Sequence, residues 1–221
     1  MAEWPRDVPV DRAMKGLATV RTAQRCAGVE PWDEPEVADG RLHFRTRFQR
    51  GLDENWARWA EDGDWAGYVL APIEHGGFDV LHTRVPERTP RRIEAWRASF
   101  AGLEDAVAFV MVSVFDSARS ALALDTVFSE FTRLGTDSRL VHGPPEDVDV
   151  ARALSRLGPD RAHLVRHLTR ISHRDDPSRH GVGFSGVLPY LNVLALSADD
   201  VVTALLSGVP RGITNCVDDA G

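Results

Sequence analysis

A long apolar segment, LEDAVAFVMVSVFDSARSALAL at 103–124, constrains the fold most. It has nearly the length of a membrane-spanning helix, but Asp116 and Arg119 interrupt the apolar run. Glu104 and Asp105 stand near its start, where negative charge complements the helix dipole. The segment therefore predicts a helix in the core of a globular domain. Because a buried charge needs a partner, we expect Asp116 and Arg119 to serve in a structural ion pair.

Strand and helix patterns surround this segment. An N-terminal helix is predicted over 10–27, followed by a strand at RLHFRTRF, a hairpin of WAGYVLAP and GFDVLHTRV around EHGG, and a further strand at RRIEAWRASF. After the core helix come a second predicted hairpin, HLVRHLTRIS with a turn at DDPSRHG, an apolar segment and a final helix at SADDVVTALLSG.

These elements predict an α+β fold with mostly antiparallel sheets. Each half contains a hairpin, a further strand and a helix, and two or three helices are expected to pack on the sheets. We expect one domain over 1–221, with possible halves at 1–140 and 141–221.

Charge and composition limit the function classes. With 33 acidic and 26 basic residues the chain has a formal net charge of -7, which disfavours nucleic acid as a partner. The N-terminus lacks an apolar signal region, so we expect a cytoplasmic protein that is not bound to a membrane. Cys26 and Cys216 form no CxxC pair and no evident disulfide framework, so they are interpreted as small unpaired side chains.

The stretch at 163–181 contains four histidines and is the first candidate chemical site. His163 and His167 could share a helix face and hold a metal ion, but interleaved arginines would repel a cation. We therefore expect a hairpin with an arginine-rich face, in which His163 and His167 lie on its first strand, and no bound metal.

The stretch GVGFSG at 181–186 matches the spacing of a dinucleotide-binding loop. Pro189 follows too soon for the helix that such a loop requires, and the chain ends before a complete βαβ unit. The nucleophile-elbow pattern also fails, because Val187 replaces its second glycine. We expect these glycines to allow a bend where two sheets come close. We find no catalytic motif, and we expect neither enzymatic activity nor a cofactor.

Tryptophans in acidic stretches form the second candidate site. Tryptophan is enriched in binding hot spots, and surrounding acids would steer a basic partner toward it. The alternative is that these tryptophans anchor loops onto the core. The predicted partner-binding residues are Trp32, Glu34, Asp53, Trp56, Trp59, Asp62, Asp64 and Trp65.

The order of four stretches carries a family resemblance: ADGRLHF, WAGYVLAP with GFDVLHTRVPER, IEAWRASFAGLEDAVAFVMVSVFDSARSAL, and LNVLALSADDVVTALL. Over roughly 39–206 this order resembles the actinobacterial immunity proteins of polymorphic toxin systems, of the type related to the immunity factor for tuberculosis necrotizing toxin. The chain departs from that pattern in its longer N-terminal arm, its acidic Trp-rich insertion at 51–65 and its histidine-rich hairpin. No binding residue of the family maps onto a position in this sequence.

The resemblance implies a cytosolic antitoxin that binds a cognate toxin domain, such as an NAD-consuming glycohydrolase, and blocks its active site. An alternative function is a small enzyme or ligand-binding protein that uses the His/Arg-rich hairpin at 163–181.

Overall fold

The computed structural model describes Trp4 and residues 11–29, 31–45, 66–74, 76–84 and 93–219. These residues form one antiparallel sheet with the strand order β1-β2-β3-β4-β5-β8-β7-β6. The strands are β1 (Glu36–Ala38), β2 (Arg41–Arg45), β3 (Ala66–Pro72), β4 (Phe78–Arg84), β5 (Ile93–Phe100), β6 (Leu140–Gly143), β7 (Leu168–His173) and β8 (His180–Phe184).

Six α-helices and two 3-10 helices accompany the sheet within the described residues. The α-helices are α1 (Asp11–Cys26), α2 (Leu103–Ala121), α3 (Val127–Leu134), α4 (Asp147–Leu157), α5 (Ala198–Leu206) and α6 (Arg211–Asp219); the 3-10 helices are Pro159–His167 and Ser185–Ala195. The predicted α+β class and antiparallel pairing are confirmed. The expectation of two or three helices was too low, because α3, α4 and α6 are short helices in stretches to which no helix was assigned from the sequence.

Helices cover both faces of the sheet. On one face, α1, α2 and α5 pack over a main core that includes the fully buried Phe100, Phe109 and Phe115. On the other face, α4 and the first 3-10 helix cover a smaller core that includes Leu81 and Trp96. Successive strand residues alternate between these two cores, as the pleat of a strand requires.

The sheet curls toward the α4 side. Arg41 in β2 and Glu94 in β5 form an ion pair of 3.0 Å, although two strands separate them in the sheet. A flat sheet would hold these side chains much farther apart, because neighbouring strands lie about 4.8 Å from each other. The curl encloses the smaller core and helps to shape the surface beneath α4.

The predicted core helix is confirmed as α2, but its charged residues do not form the expected ion pair. The Asp116 carboxylate accepts the backbone N–H groups of Val127 (2.7 Å) and Phe128 (3.1 Å) at the start of α3. Arg119 donates to backbone carbonyls, at 2.7 Å to Asp125 and at 2.8 Å near the end of α5. Both side chains therefore form hydrogen bonds with backbone groups at helix ends. Without these bonds, the backbone groups would be buried without partners.

The interpretation of the two cysteines as unpaired was wrong. Cys26 at the end of α1 and Cys216 in α6 form a disulfide across 190 positions of the chain. The half-buried Ile213 and Val217 also pack α6 against the main core, and this packing places the two sulfurs together.

Within the described residues, no single helix is long and apolar enough to span a membrane. The second 3-10 helix and α5 reach that length and composition only as a pair, with a bend of 115° between them.

Candidate functional site

Trp32 and Glu34, the described part of the predicted partner-binding set, lie beside α1 and β2. Trp32 is half-buried against the main core, and its ring stacks on Tyr68 with centroids 6.0 Å apart. Glu34 is exposed and pairs with Arg21 at 3.1 Å, and Arg21 also donates to the Trp32 carbonyl at 2.8 Å. Trp32 therefore anchors its loop on the core, and the charge of Glu34 is partly neutralised.

The other six predicted residues, Asp53, Trp56, Trp59, Asp62, Asp64 and Trp65, lie outside the described residues. The positions at which their segment joins the sheet are described. Arg45 at the end of β2 pairs with Gly67 near the start of β3, so segment 46–65 leaves and re-enters the sheet on neighbouring strands. Asp33 bonds through its backbone to the Arg45 carbonyl at 2.9 Å, which brings the Trp32 loop to the same end of β2.

A row of rings extends from Trp32 through Tyr68 to His82 across this part of the sheet. Tyr68 in β3 stands directly opposite His82 in β4, with ring centroids 5.1 Å apart. Tyr190 in the second 3-10 helix packs on Phe128 of α3 at 4.8 Å. We call Trp32, Tyr68, His82, Tyr190 and the nearby Arg97 the aromatic surface.

Arg97 reaches this surface because of a β-bulge. Ala98 pairs with Val80 and Trp96 pairs with Leu81, so Arg97 is the extra, unpaired residue of β5. A bulge redirects the side chain of the extra residue. Arg97 is exposed, and within the described part of the chain it forms no ion pair.

The charge of Arg97 influences the pKa values of three groups on this surface. Burial lowers the pKa of His82, and the charges of Arg97 and Arg84 lower it further. Burial raises the pKa of Tyr68 above its ordinary value, against the opposing effects of Ser113 and Arg97. Burial, followed by the charge of Asp116, raises the pKa of Tyr190 to about 12, while Arg97 acts in the opposite direction. The surface therefore combines neutral tyrosines with a guanidinium that forms no ion pair within the described ranges.

Sequence analysis did not identify Tyr68, His82, Arg97 or Tyr190. One signal was available: pairing the strands outward from the EHGG turn brings Tyr68 opposite His82. No local pattern gives the bulge at Arg97 or brings Tyr190 close, since both depend on packing between distant segments.

The His/Arg-rich stretch forms a hairpin later than predicted. Strand β7 begins at Leu168, whereas His163 and His167 lie exposed on the first 3-10 helix, which starts at Pro159. A proline favours the first position of a helix, and this signal was not used. Among the described residues, no group of three or more His, Cys, Asp or Glu side chains is arranged to hold a metal ion. The prediction that no metal binds here remains a prediction.

The glycines of GVGFSG lie in and just after strand β8, not in a loop at the start of an α-helix. A Cβ atom on Gly183 would come within 2.5 Å of the Val187 side chain, so glycine lets the second 3-10 helix pack closely on the sheet. The predicted role of these glycines was a bend between two sheets. Their role in the structure is close contact between a strand and a helix.

A cavity of about 340 Å³ lies on the opposite, α4 side of the sheet. Ser99 in β5, Val182 in β8 and Arg170 in β7 are neighbours in register and form part of its lining. Asp149 and Arg152 of α4 also line it. Arg170 pairs with Asp149 at 2.8 Å, which ties α4 to the sheet.

A buried polar network supports this cavity. Asp79 is almost fully buried, and its carboxylate accepts the Ser99 hydroxyl at 2.6 Å and the Arg156 Nε–H at 2.7 Å. The indole N–H of Trp96 donates to Ser99 Oγ at 3.0 Å. Ser99 is therefore fixed in position, but no histidine completes a catalytic triad with it in this network.

Comparisons with known proteins identify a shared fold. No protein-family model matches this chain, and no curated protein matches it. The solved structure of Rv3902c from M. tuberculosis is similar over 93% of each chain, with a TM-score of 0.52 and 9% sequence identity. At this identity the likeness concerns the architecture alone.

Proposed function

We propose that this chain is a non-catalytic immunity protein, which binds a cognate toxin domain through the aromatic surface and blocks it. The observation that carries the proposal is the exposed Arg97, which forms no ion pair within the described residues and whose charge acts on Tyr68, His82 and Tyr190. Tyrosine, tryptophan and arginine are the residues most enriched in binding hot spots. The resemblance of the sequence to polymorphic-toxin immunity proteins supplies the class of partner, with an NAD-consuming glycohydrolase as the first candidate.

The tyrosines and the tryptophan are half-buried, which suits anchor residues of a protein–protein interface. A half-buried ring is already ordered by its neighbours, so a partner that covers it removes apolar area from water with little further loss of side-chain freedom. Arg97 adds a charge that a partner carboxylate can engage in a bidentate pair.

The predicted residues of 51–65 extend this proposal. Both ends of their segment join the sheet beside Trp32 and Tyr68, which favours a contribution of Trp56 and Trp59 to the same interface. The pairing of Glu34 with Arg21 and of Glu36 with Arg45 weakens the case for steering by the described acids. Steering therefore depends on Asp53, Asp62 and Asp64.

The test uses the toxin domain encoded next to this gene in its native genome. Co-expression should protect cells from that domain, and surface plasmon resonance should give a stable complex of the two purified proteins. Arg97→Ala should weaken the complex by about 2 kcal/mol, roughly 30-fold, mainly through faster dissociation. Arg161→Ala is the matched control, because Arg161 is also exposed and lies on the first 3-10 helix.

Two results would contradict the proposal. Absence of a neighbouring toxin domain, together with no stoichiometric protein partner in affinity purification from native cells, would exclude the immunity function. Equal dissociation rates for the wild type, Arg97→Ala and Arg161→Ala would exclude the aromatic surface as its site.

A further inference from the structure

The cavity beside α4 is lined by an arginine that has only a long ion pair within the described part of the chain. The Arg152 side chain is 18% exposed, and its ion pair with Asp149 is long, at 3.7 Å. Within the described ranges it makes no hydrogen bond. A guanidinium has five N–H donors, which an anion in the cavity can engage in charge-assisted hydrogen bonds.

Asp149 engages these donors only in part, because its Oδ1 atom lies 3.7 Å from the Arg152 guanidinium, beyond hydrogen-bond distance. One oxygen accepts Arg170 at 2.8 Å and the Glu146 backbone N–H at 3.0 Å. Arg170 also pairs with Glu146 at 3.1 Å, so Arg170 has the shorter contacts to both nearby carboxylates. Arg152 therefore lines the cavity with its charge compensated, within the described residues, only by its long contact to Asp149.

Other groups complete a site of defined shape. Ser99 Oγ donates to Asp79 and accepts from Trp96, which leaves one lone pair that can accept a donor from a ligand. Gly77 in the β3–β4 turn forms part of the wall, where a Cβ atom would lie 2.5 Å from the Phe100 carbonyl oxygen. The turn can approach β5 this closely only with glycine, whose φ of +90° is also unfavourable for other residues.

We infer that this cavity binds a small metabolite through a terminal oxyanion, a phosphate or a carboxylate, which Arg152 contacts while Ser99 accepts a hydroxyl or amide donor. The volume of about 340 Å³ lies within the range of small-molecule sites and suits a ligand of sugar-phosphate size. Arg152 is the main anion contact, and the ion pairs of Arg170 hold α4 and the sheet in place around it. The inference does not depend on the proposed immunity function, because the cavity and the aromatic surface lie on different faces of the sheet.

The experiment follows backbone amide NMR shifts of the full-length, disulfide-bonded protein during titrations. Inorganic phosphate and acetate are the anionic probes, and acetamide is the neutral probe with the shape of acetate. We expect saturable shifts at Gly77, Ser99 and Arg152 with at least one anion, with a dissociation constant on the order of 1 mM. Tighter binding of phosphate identifies a phosphate ligand, and tighter binding of acetate identifies a carboxylate ligand.

Two variants test the assignment of Arg152. Arg152→Gln keeps much of the length and polarity of the side chain but removes its charge, and it should weaken anion binding at least about tenfold. Arg161→Gln, at an exposed arginine outside the cavity, should bind like the wild type. Unsaturable shifts with both anions, equal shifts with acetamide, or unchanged affinity in a folded Arg152→Gln variant would each overturn the inference.

Discussion

Replacing Cys216 by serine should destabilise the protein strongly, because the disulfide links segments that are 190 positions apart. In the chain-entropy description, a loop of this length restricts the unfolded chain by about 5 kcal/mol at 25 °C, while measured disulfides typically contribute about 2–4 kcal/mol. We expect Cys216→Ser to lower the free energy of unfolding by about 2–5 kcal/mol.

The native state determines where in that range the value falls. Helix α6 has nine residues, too few to be stable alone, and it contacts the main core through the half-buried Ile213 and Val217. Without the disulfide, α6 can open while the sheet stays folded. Amide hydrogen exchange should therefore increase more in α6 than in the sheet. The decrease in the global free energy of unfolding should lie nearer the lower end of the range.

Urea unfolding followed by circular dichroism provides the measurement. The oxidised wild type, the wild type in a thiol reductant and Cys216→Ser are compared, with Cys26→Ser as the matched variant. The reduced wild type and both variants should unfold at the same, lower urea concentration. The reasoning is refuted if the oxidised wild type and Cys216→Ser have equal midpoints, or if the reductant also shifts the midpoint of the variant.

Three further substitutions test other contacts. Arg119→Met should cost about 2–4 kcal/mol in urea unfolding, because it leaves buried carbonyls at the end of α5 without a donor; a cost below 0.5 kcal/mol would contradict this role. Gly183→Ala should destabilise by about 1–3 kcal/mol, since its Cβ would overlap Val187, and adding Val187→Ala should recover part of that loss; strictly additive losses would count against the overlap. The hydrogen bond from Arg139 lowers the pKa of Asp137 to about 2, so this carboxylate contributes stability above its unfolded pKa of about 3.9 and loses it as the pH falls toward 2. The melting temperature of Asp137→Asn should therefore fall less than that of the wild type across this pH interval. Equal falls in the two melting temperatures would exclude the contribution.

Elements governed by local patterns were predictable from the sequence. The apolar run at 103–124 predicted α2. The alternation of apolar and polar residues on both sides of EHGG predicted the β3–β4 hairpin. Ser197 and Asp200 form the expected capping box at the start of α5. In each case the signal lies in one continuous stretch of sequence. There, residue spacing alone determines which side chains share a face.

Features that depend on distant contacts were not predictable in this way. The pairing of Cys26 with Cys216 requires α6 to dock beside α1, and no spacing rule connects positions so far apart. Asp116 and Arg119 were correctly marked as buried charges that need partners, but their partners are backbone groups that other segments bring to α2. Side-chain chemistry identifies the need, whereas tertiary packing determines what meets it.

The two proposed sites meet in strand β5, which makes their independence testable. Arg97, the extra residue of the bulge, acts electrostatically on Tyr68 and Tyr190, whereas Ser99, two residues later, bonds Asp79 on the α4 side. A substitution at Arg97 removes no group that lines the cavity, and one at Arg152 removes no group of the aromatic surface. We therefore expect Arg97→Ala to leave phosphate or acetate binding unchanged and Arg152→Gln to leave toxin binding unchanged. If either variant impairs both binding activities, β5 couples the two faces of the sheet. A saturating anion should then change the affinity for the toxin by the same factor by which the toxin changes the affinity for the anion.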